Sequence, residues 1–183
     1  MTLRILSRYS FLMRSLSRLM LLSCVAAVSL AAQQPSAAPA SPSAVLHIWI
    51  AGHAEVQLTP AELRAFPQIS VTTHNPHTNA DETYSGVRLS DLLAKLGAPL
   101  GKDLRGPALA MYVVASGSDG YKAVLALAEI DPAFHPGEVI VADIMNNAPL
   151  DAHNGPFKLV VTEDKRPARS VRNLVSISVK AAE

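Results

Sequence analysis

Tyr84-Ser85-Gly86-Val87-Arg88-Leu89-Ser90-Asp91-Leu92-Leu93 is the stretch on which the fold turns. Ser90-Asp91 has the composition of a helix start, because a short polar side chain can accept from the free amides of a first turn. Leu92, Leu93 and Leu96 then share one face, and Gly97 ends the helix. Upstream, Thr59-Pro60-Ala61-Glu62 predicts a second short helix, with a cap, a proline at the first helical position and a glutamate spaced for a capping box. A brief helical turn is expected at Leu127 to Ile130.

Strand signals surround these helices. Val45 to Ile50, Glu55 to Leu58, Ile69 to Thr73, Ala108 to Ala115, Tyr121 to Leu125, Glu138 to Ile144, Phe157 to Thr162 and Leu174 to Val179 are short runs flanked by Gly, Pro, Asp or Asn. The last alternates, with Val175, Ile177 and Val179 on one face and Ser176, Ser178 and Lys180 on the other. Asp119-Gly120 suits a tight hairpin, where glycine accepts a positive φ. The expected fold is α+β: a mainly β, mixed-sheet or barrel-like domain whose few short helices cover sheet edges or ends.

The N-terminus reads differently. Arg4, Arg8, Arg14 and Arg18 precede the uncharged run Leu19 to Ala32, and Ser29-Leu30-Ala31 offers small residues to a signal peptidase. Residues 1–32 are therefore expected to be a signal peptide, 33–44 a Pro/Ser/Ala-rich linker and 45–183 one domain. Export to the periplasm or the exterior follows. Lipid anchoring at Cys24 is less favoured, because the apolar run continues past it. No stable membrane span is expected once the leader is removed, as its apolar run falls short of the roughly 20 residues that cross a bilayer. Loss of the four leader arginines takes Lys plus Arg from 16 to 12 against 15 Asp plus Glu, a net charge of about −3. Such a domain has no electrostatic case for nucleic acid. Its single cysteine, Cys24, leaves with the leader, so the exported chain is thiol-free.

With these features in place, the stretch from Tyr84 to Leu93 resembles the aromatic-x-Gly-Val-x-Leu-x-Asp-Leu-Leu segment of the sulfite oxidase-type molybdopterin-binding domain. Ser118-Asp119-Gly120-Tyr121, Met145-Asn146-Asn147-Ala148-Pro149-Leu150, His153-Asn154-Gly155-Pro156-Phe157-Lys158-Leu159-Val160-Val161 and Arg169-Ser170-Val171-Arg172-Asn173-Leu174 are similar to later segments of that family, in the same order. The resemblance implies a largely β fold around a pterin-dithiolene cofactor in oxo-transfer oxidoreductases. It also implies a cysteine after the first short helix and strand, whose thiolate binds molybdenum as one soft donor among others. That slot falls near His74 or Asn75, and no cysteine stands there. Only nine residues separate His74 from Tyr84, where full-size members place a longer pocket-forming loop.

The candidate site residues divide into two groups. His74 and His77, in His-Asn-Pro-His, are candidate metal ligands; the plainer reading is two solvent-facing loop histidines, and a pair falls short of the three or four donors a site needs. Lys158, Lys165, Arg166, Arg169 and Arg172 are the clearest charge concentration. By resemblance, Lys165, Arg169 and Arg172, with Asp119 nearby, would hold the pterin phosphate, a task for which arginine has a planar fork of donors. An ordinary solvated basic loop is the alternative. Asp119, Gly120, Asn146 and Asn147 read first as turn residues. Ala115-Ser116-Gly117-Ser118-Asp119-Gly120 lacks the leading glycine of a nucleophile elbow, which argues against a hydrolase.

Two readings of function stand open. One is an exported molybdopterin-binding-like domain, an oxidoreductase or oxidoreductase-associated protein by resemblance only, with a small-molecule or redox partner. The other keeps the fold, binds no molybdopterin, and serves as a binding or accessory module for a small ligand, a metal ion or a protein.

Overall fold

The computed structural model describes residues 44–182; the expected signal peptide and nearly all of the linker lie outside them. Ten strands form two five-stranded sheets. The first sheet has the order β2-β1-β10-β5-β6, with β1 Leu46–Ile50, β2 Val56–Leu58, β5 Met111–Gly117, β6 Lys122–Ala126 and β10 Leu174–Ala181. In it β1 and β10 are parallel and the other pairs antiparallel. The second sheet runs β3-β4-β7-β8, with β9 also on β7; its members are β3 Gln68–Asn75, β4 Ala80–Arg88, β7 Val139–Met145, β8 Ala148–Pro149 and β9 Lys158–Val161. The mixed sheets with few short helices are the fold class expected.

Helices are short. α1 (Pro60–Leu63) has the capping box read from its sequence: the Glu62 amide donates to Thr59 Oγ1 at 3.3 Å, and the Thr59 amide donates to Glu62 Oε2 at 2.8 Å. α2 (Leu89–Lys95) begins one residue before Ser90-Asp91, and Ser90 is buried inside it with no partner for its hydroxyl. Arg88 stands at the N-cap without a side-chain capping bond, and its guanidinium reaches both oxygens of Glu138 at 2.6 and 2.7 Å. α3 is Leu127–Ile130, the turn expected there. Among the described residues, no helix is long and apolar enough to cross a membrane.

The main core lies between the inner faces of the two sheets, where Leu46, Ile48, Val113, Ile177, Val87, Val141 and Leu159 pack with Leu89, Leu92 and Leu93 of α2. Burying such side chains contributes about 1.5–3 kcal/mol each. A smaller apolar cluster of Val71, Tyr84, Ile140, Ala142 and Val160 lies on the other face of the second sheet.

Three expectations are corrected. Residues 80–88 form a full strand, β4, pairing with β3 from Gln68↔Val87 to Asn75↔Ala80. Its polar start hides the alternation that marks strands. Ala108 to Ala110 belong to a 3-10 turn, so β5 starts at Met111. His74 lies in β3 rather than a loop. Gly86 is the pivot of the second sheet. The β4–β7 register shifts between Ser85 and Gly86, leaving Asp143 as the extra residue of a bulge. A Cβ on Gly86 would stand 2.1 Å from the Val141 carbonyl oxygen, so only glycine lets the backbones approach this closely.

Candidate functional site

The outer face of the second sheet gathers the polar residues nearest the expected cysteine slot. Alternation along β3 sends His74 and Asn75 to opposite faces. Asn75 joins the face that carries Tyr84, and its amide donates to Glu82 Oε1 at 2.8 Å. Glu82 Oε2 accepts from the Tyr84 hydroxyl at 2.6 Å. The Lys158 amine, from β9, donates to the same hydroxyl at 2.5 Å and to Asn154 Oδ1 at 3.1 Å. The strand pairing explains the convergence: β4 and β9 flank β7, and Tyr84, Ala142 and Lys158 share its outer face.

Electrostatics follow from that enclosure. Burial pushes the Lys158 amine below its ordinary value, with Arg172 acting in the same direction and Glu82 and Asp151 opposing it. Burial, then the Glu82 hydrogen bond, raises the Tyr84 phenol well above its ordinary value. Burial opposes the charge on Glu82. Hydrogen bonds from Tyr84 and Asn75, with the Lys158 charge, overcome it and leave the carboxyl below its usual range. Arg172 lies at the edge of this cluster, its guanidinium against His153 Nε2. Asp151 orders the adjoining turn by accepting from the amides of His153 and Asn154 at 3.1 and 2.8 Å.

The residues singled out in the sequence are only partly brought together. His74 Nδ1 lies 2.9 Å from Asp81 Oδ1 on the opposite, exposed face of the hairpin, and His77 sits in its turn, donating its amide to Asn75 Oδ1. Among the described residues, no three His, Cys, Asp or Glu side chains converge as ligands would. Asp119 accepts from the Tyr121 amide at 2.9 Å and so caps its own hairpin, with Gly120 at φ +84°. That hairpin touches the basic loop through the Tyr121 hydroxyl and the Ala168 carbonyl. Arg169 is fully engaged, donating to both Asp164 oxygens at 2.9 and 2.6 Å and to Glu129 at 2.7 Å. Lys165 is exposed and makes no ion pair among the described residues. Arg169 and Arg172 thus go to different partners. Glu82 and Asn154 were not singled out as site residues, since they matter only once β4 lies beside β7 and β9.

The donor set bears directly on the cofactor that the resemblance implies. A molybdenum held by dithiolene sulfur accepts a thiolate because both are soft donors. Near the expected slot stand His74, paired with Asp81, and the Asn75 carboxamide, already bonded to Glu82, in an uninterrupted hairpin that leaves no pocket-forming loop between β3 and β4. A thiolate-ligated molybdenum centre does not fit these residues.

The family model described as "Oxidoreductase molybdopterin binding domain" matches residues 36–183. Among solved structures, the chain is similar to the sulfane dehydrogenase SoxCD from Paracoccus pantotrophus, at 20% identity and a TM-score of 0.58. The match covers 76% of this chain and 39% of that one, so the likeness is one of fold over part of a longer protein. No curated protein matches the chain.

Proposed function

Because the chain belongs to the oxidoreductase molybdopterin binding domain family, we propose that it is an exported member that keeps the family fold without thiolate-ligated molybdenum chemistry. It acts as a binding or accessory module, serving a small-molecule or redox partner on the exported side. One observation carries this reading: near the expected cysteine slot, Asn75 is tied to Glu82 in a hydrogen-bond chain that continues through Tyr84 to Lys158. A closed network of nitrogen and oxygen groups stabilises the sheet face and offers no thiolate donor. Of the three cations expected to hold the phosphate, Lys165 and Arg172 make no ion pair among the described residues, whereas Arg169 is held by its carboxylates. Export rests on the arginine-then-apolar leader of residues 1–32.

The test is direct. Protein purified after expression with its leader in molybdate-supplemented cells should start near Gln33 by mass spectrometry and contain no stoichiometric molybdenum or pterin. A full equivalent of molybdenum in folded protein would establish the retained-cofactor reading and overturn this one. Recovery of the uncleaved chain in the cytoplasm would overturn export.

A further inference from the structure

The outer face of the first sheet carries an aromatic-walled cleft remote from the Lys158 network. The pairing register sets Trp49 opposite Ser178 and Tyr112 opposite Lys180, so these four side chains share one face of β1, β10 and β5. The intervening Ile50, Val179 and Val113 turn inward and are buried. With His53 and Ala181, the four line an open cleft of about 690 Å³. It lies at the far end of β10 from the network, since Asn173, just before that strand, bonds to Asn154.

Trp49 is 40% exposed, yet its indole is held. Its ring stacks on His47 with centroids 5.5 Å apart and planes 11° apart. His47 Nδ1 in turn lies 2.5 Å from Glu55 Oε1. The Glu55 carboxylate is kept below its usual range by His47 first, then by Gln57 and by Trp49 itself. An aromatic ring fixed in one orientation at the surface loses little freedom on meeting a second ring.

The polar lining selects among ring-bearing ligands. Lys180 supplies a positive charge, and Ser178 and Tyr112 supply hydroxyls, while no carboxylate or carboxamide side chain lines the cleft. A flat ring with one anionic end needs only an aromatic wall and a cation. We propose that this cleft binds a small planar aromatic anion, its ring against Trp49 and Tyr112 and its carboxylate or equivalent on Lys180.

Trp49 is the sole tryptophan of the chain, so intrinsic indole fluorescence reports on this site alone. Titration of the purified protein with benzoate should quench it saturably. Benzamide, which keeps the ring and lacks the charge, should bind about tenfold more weakly, equivalent to roughly 1.4 kcal/mol. Lys180→Gln, at an exposed position, should erase that discrimination without changing the thermal midpoint, and Tyr112→Ala should weaken both ligands. No saturable quenching by benzoate up to about 10 mM, a range that reaches the weakest specific binding, overturns the proposal. So does equal affinity of the wild type for benzoate and benzamide, or a saturable response to glucose alone. The readouts are independent of molybdenum content, so failure here is distinguishable from failure of the function proposed above.

Discussion

The Lys158 amine lies over the Tyr84 ring, 4.3 Å from its centroid, and meets the phenolic oxygen at 2.5 Å. Tyr84 in turn donates to Glu82, so a neutral hydroxyl links a half-buried cation to a carboxylate. Tyr84→Phe should cost about 1–2 kcal/mol by leaving both charges without that link. Lys158→Met should cost measurably less in the Tyr84→Phe background than in the wild type, by about 0.5 kcal/mol or more. Urea denaturation of the two single variants and the double variant checks this; strict additivity would show that the network is not coupled.

Gly86→Ala should be among the most damaging single-methyl additions in the chain. The new Cβ would meet the Val141 carbonyl oxygen at 2.1 Å and the Ala142 Cα at 2.5 Å, both backbone atoms of a central strand. Opening the β4–β7 bulge should cost about 3 kcal/mol or abolish soluble expression. Gly52→Ala, where a Cβ has open space and only the positive φ of +83° resists, should cost no more than about 1 kcal/mol. Equal thermal midpoints for the two variants would contradict the close approach.

The bulge residue Asp143 is buried, and its Oδ2 accepts from Arg64 Nε at 2.5 Å while Oδ1 has no partner. Removing the cation leaves a buried charge without compensation. Arg64→Met should therefore destabilise the domain by about 3 kcal/mol, and adding Asp143→Asn should recover part of that loss. Chemical denaturation of the single and double variants measures the recovery, and its absence would show that the pair contributes little.

Arg169 sets an acid sensitivity. Its hydrogen bond holds Asp164 below the usual carboxylate range, and Glu129 is likewise lowered, against burial, by Arg169 and the Ala126 amide. Groups with depressed folded-state values stabilise above their unfolded values and lose that contribution as pH falls through the folded ones. The thermal midpoint should therefore fall as the solution is acidified below the ordinary carboxylate range of about 4. Arg169→Gln should flatten that slope. With the side chains of Arg169 and Asp164 33% and 18% exposed, the effect is discounted to about 1 kcal/mol, or roughly 4 °C.

The His74 pairing with Asp81 makes a prediction about metals. Two exposed donors fall short of a transition-metal site. Zinc or copper(II) at micromolar excess should shift the thermal midpoint equally, or not at all, in the wild type and in a His74→Ala, His77→Ala variant. A shift confined to the wild type would establish a metal site at the hairpin.

Much of the fold was legible because its signals are local. The Thr59 to Glu62 capping box and the Asp119-Gly120 turn each depend on neighbours in sequence, and both formed as read. β4 was not legible: Ala80 to Thr83 carry no alternation, and the strand exists because β3 and β7 pair with it on either side. Ser90-Asp91 looked like a cap, yet the helix starts at Leu89, with Arg88 at the N-cap and its guanidinium on Glu138, a residue 50 positions away.

By itself, the sequence determined the mixed α+β class, the family, and a chain whose only cysteine lies at position 24, outside the domain. These are matters of composition, spacing and short-range backbone preference, which survive without knowledge of contacts. Tertiary structure decided which polar groups gather near the expected cysteine slot. Only the pairing of β3 with β4, and the flanking of β7 by β4 and β9, brings Asn75, Glu82, Tyr84 and Lys158 to one face. Only the burial of that face makes their mutual hydrogen bonding obligatory, since buried polar groups left unpaired are costly. The same distinction holds for Trp49: the run Val45 to Ile50 that carries it could be read as a strand, but its exposed stack on His47 depends on which face the sheet leaves uncovered.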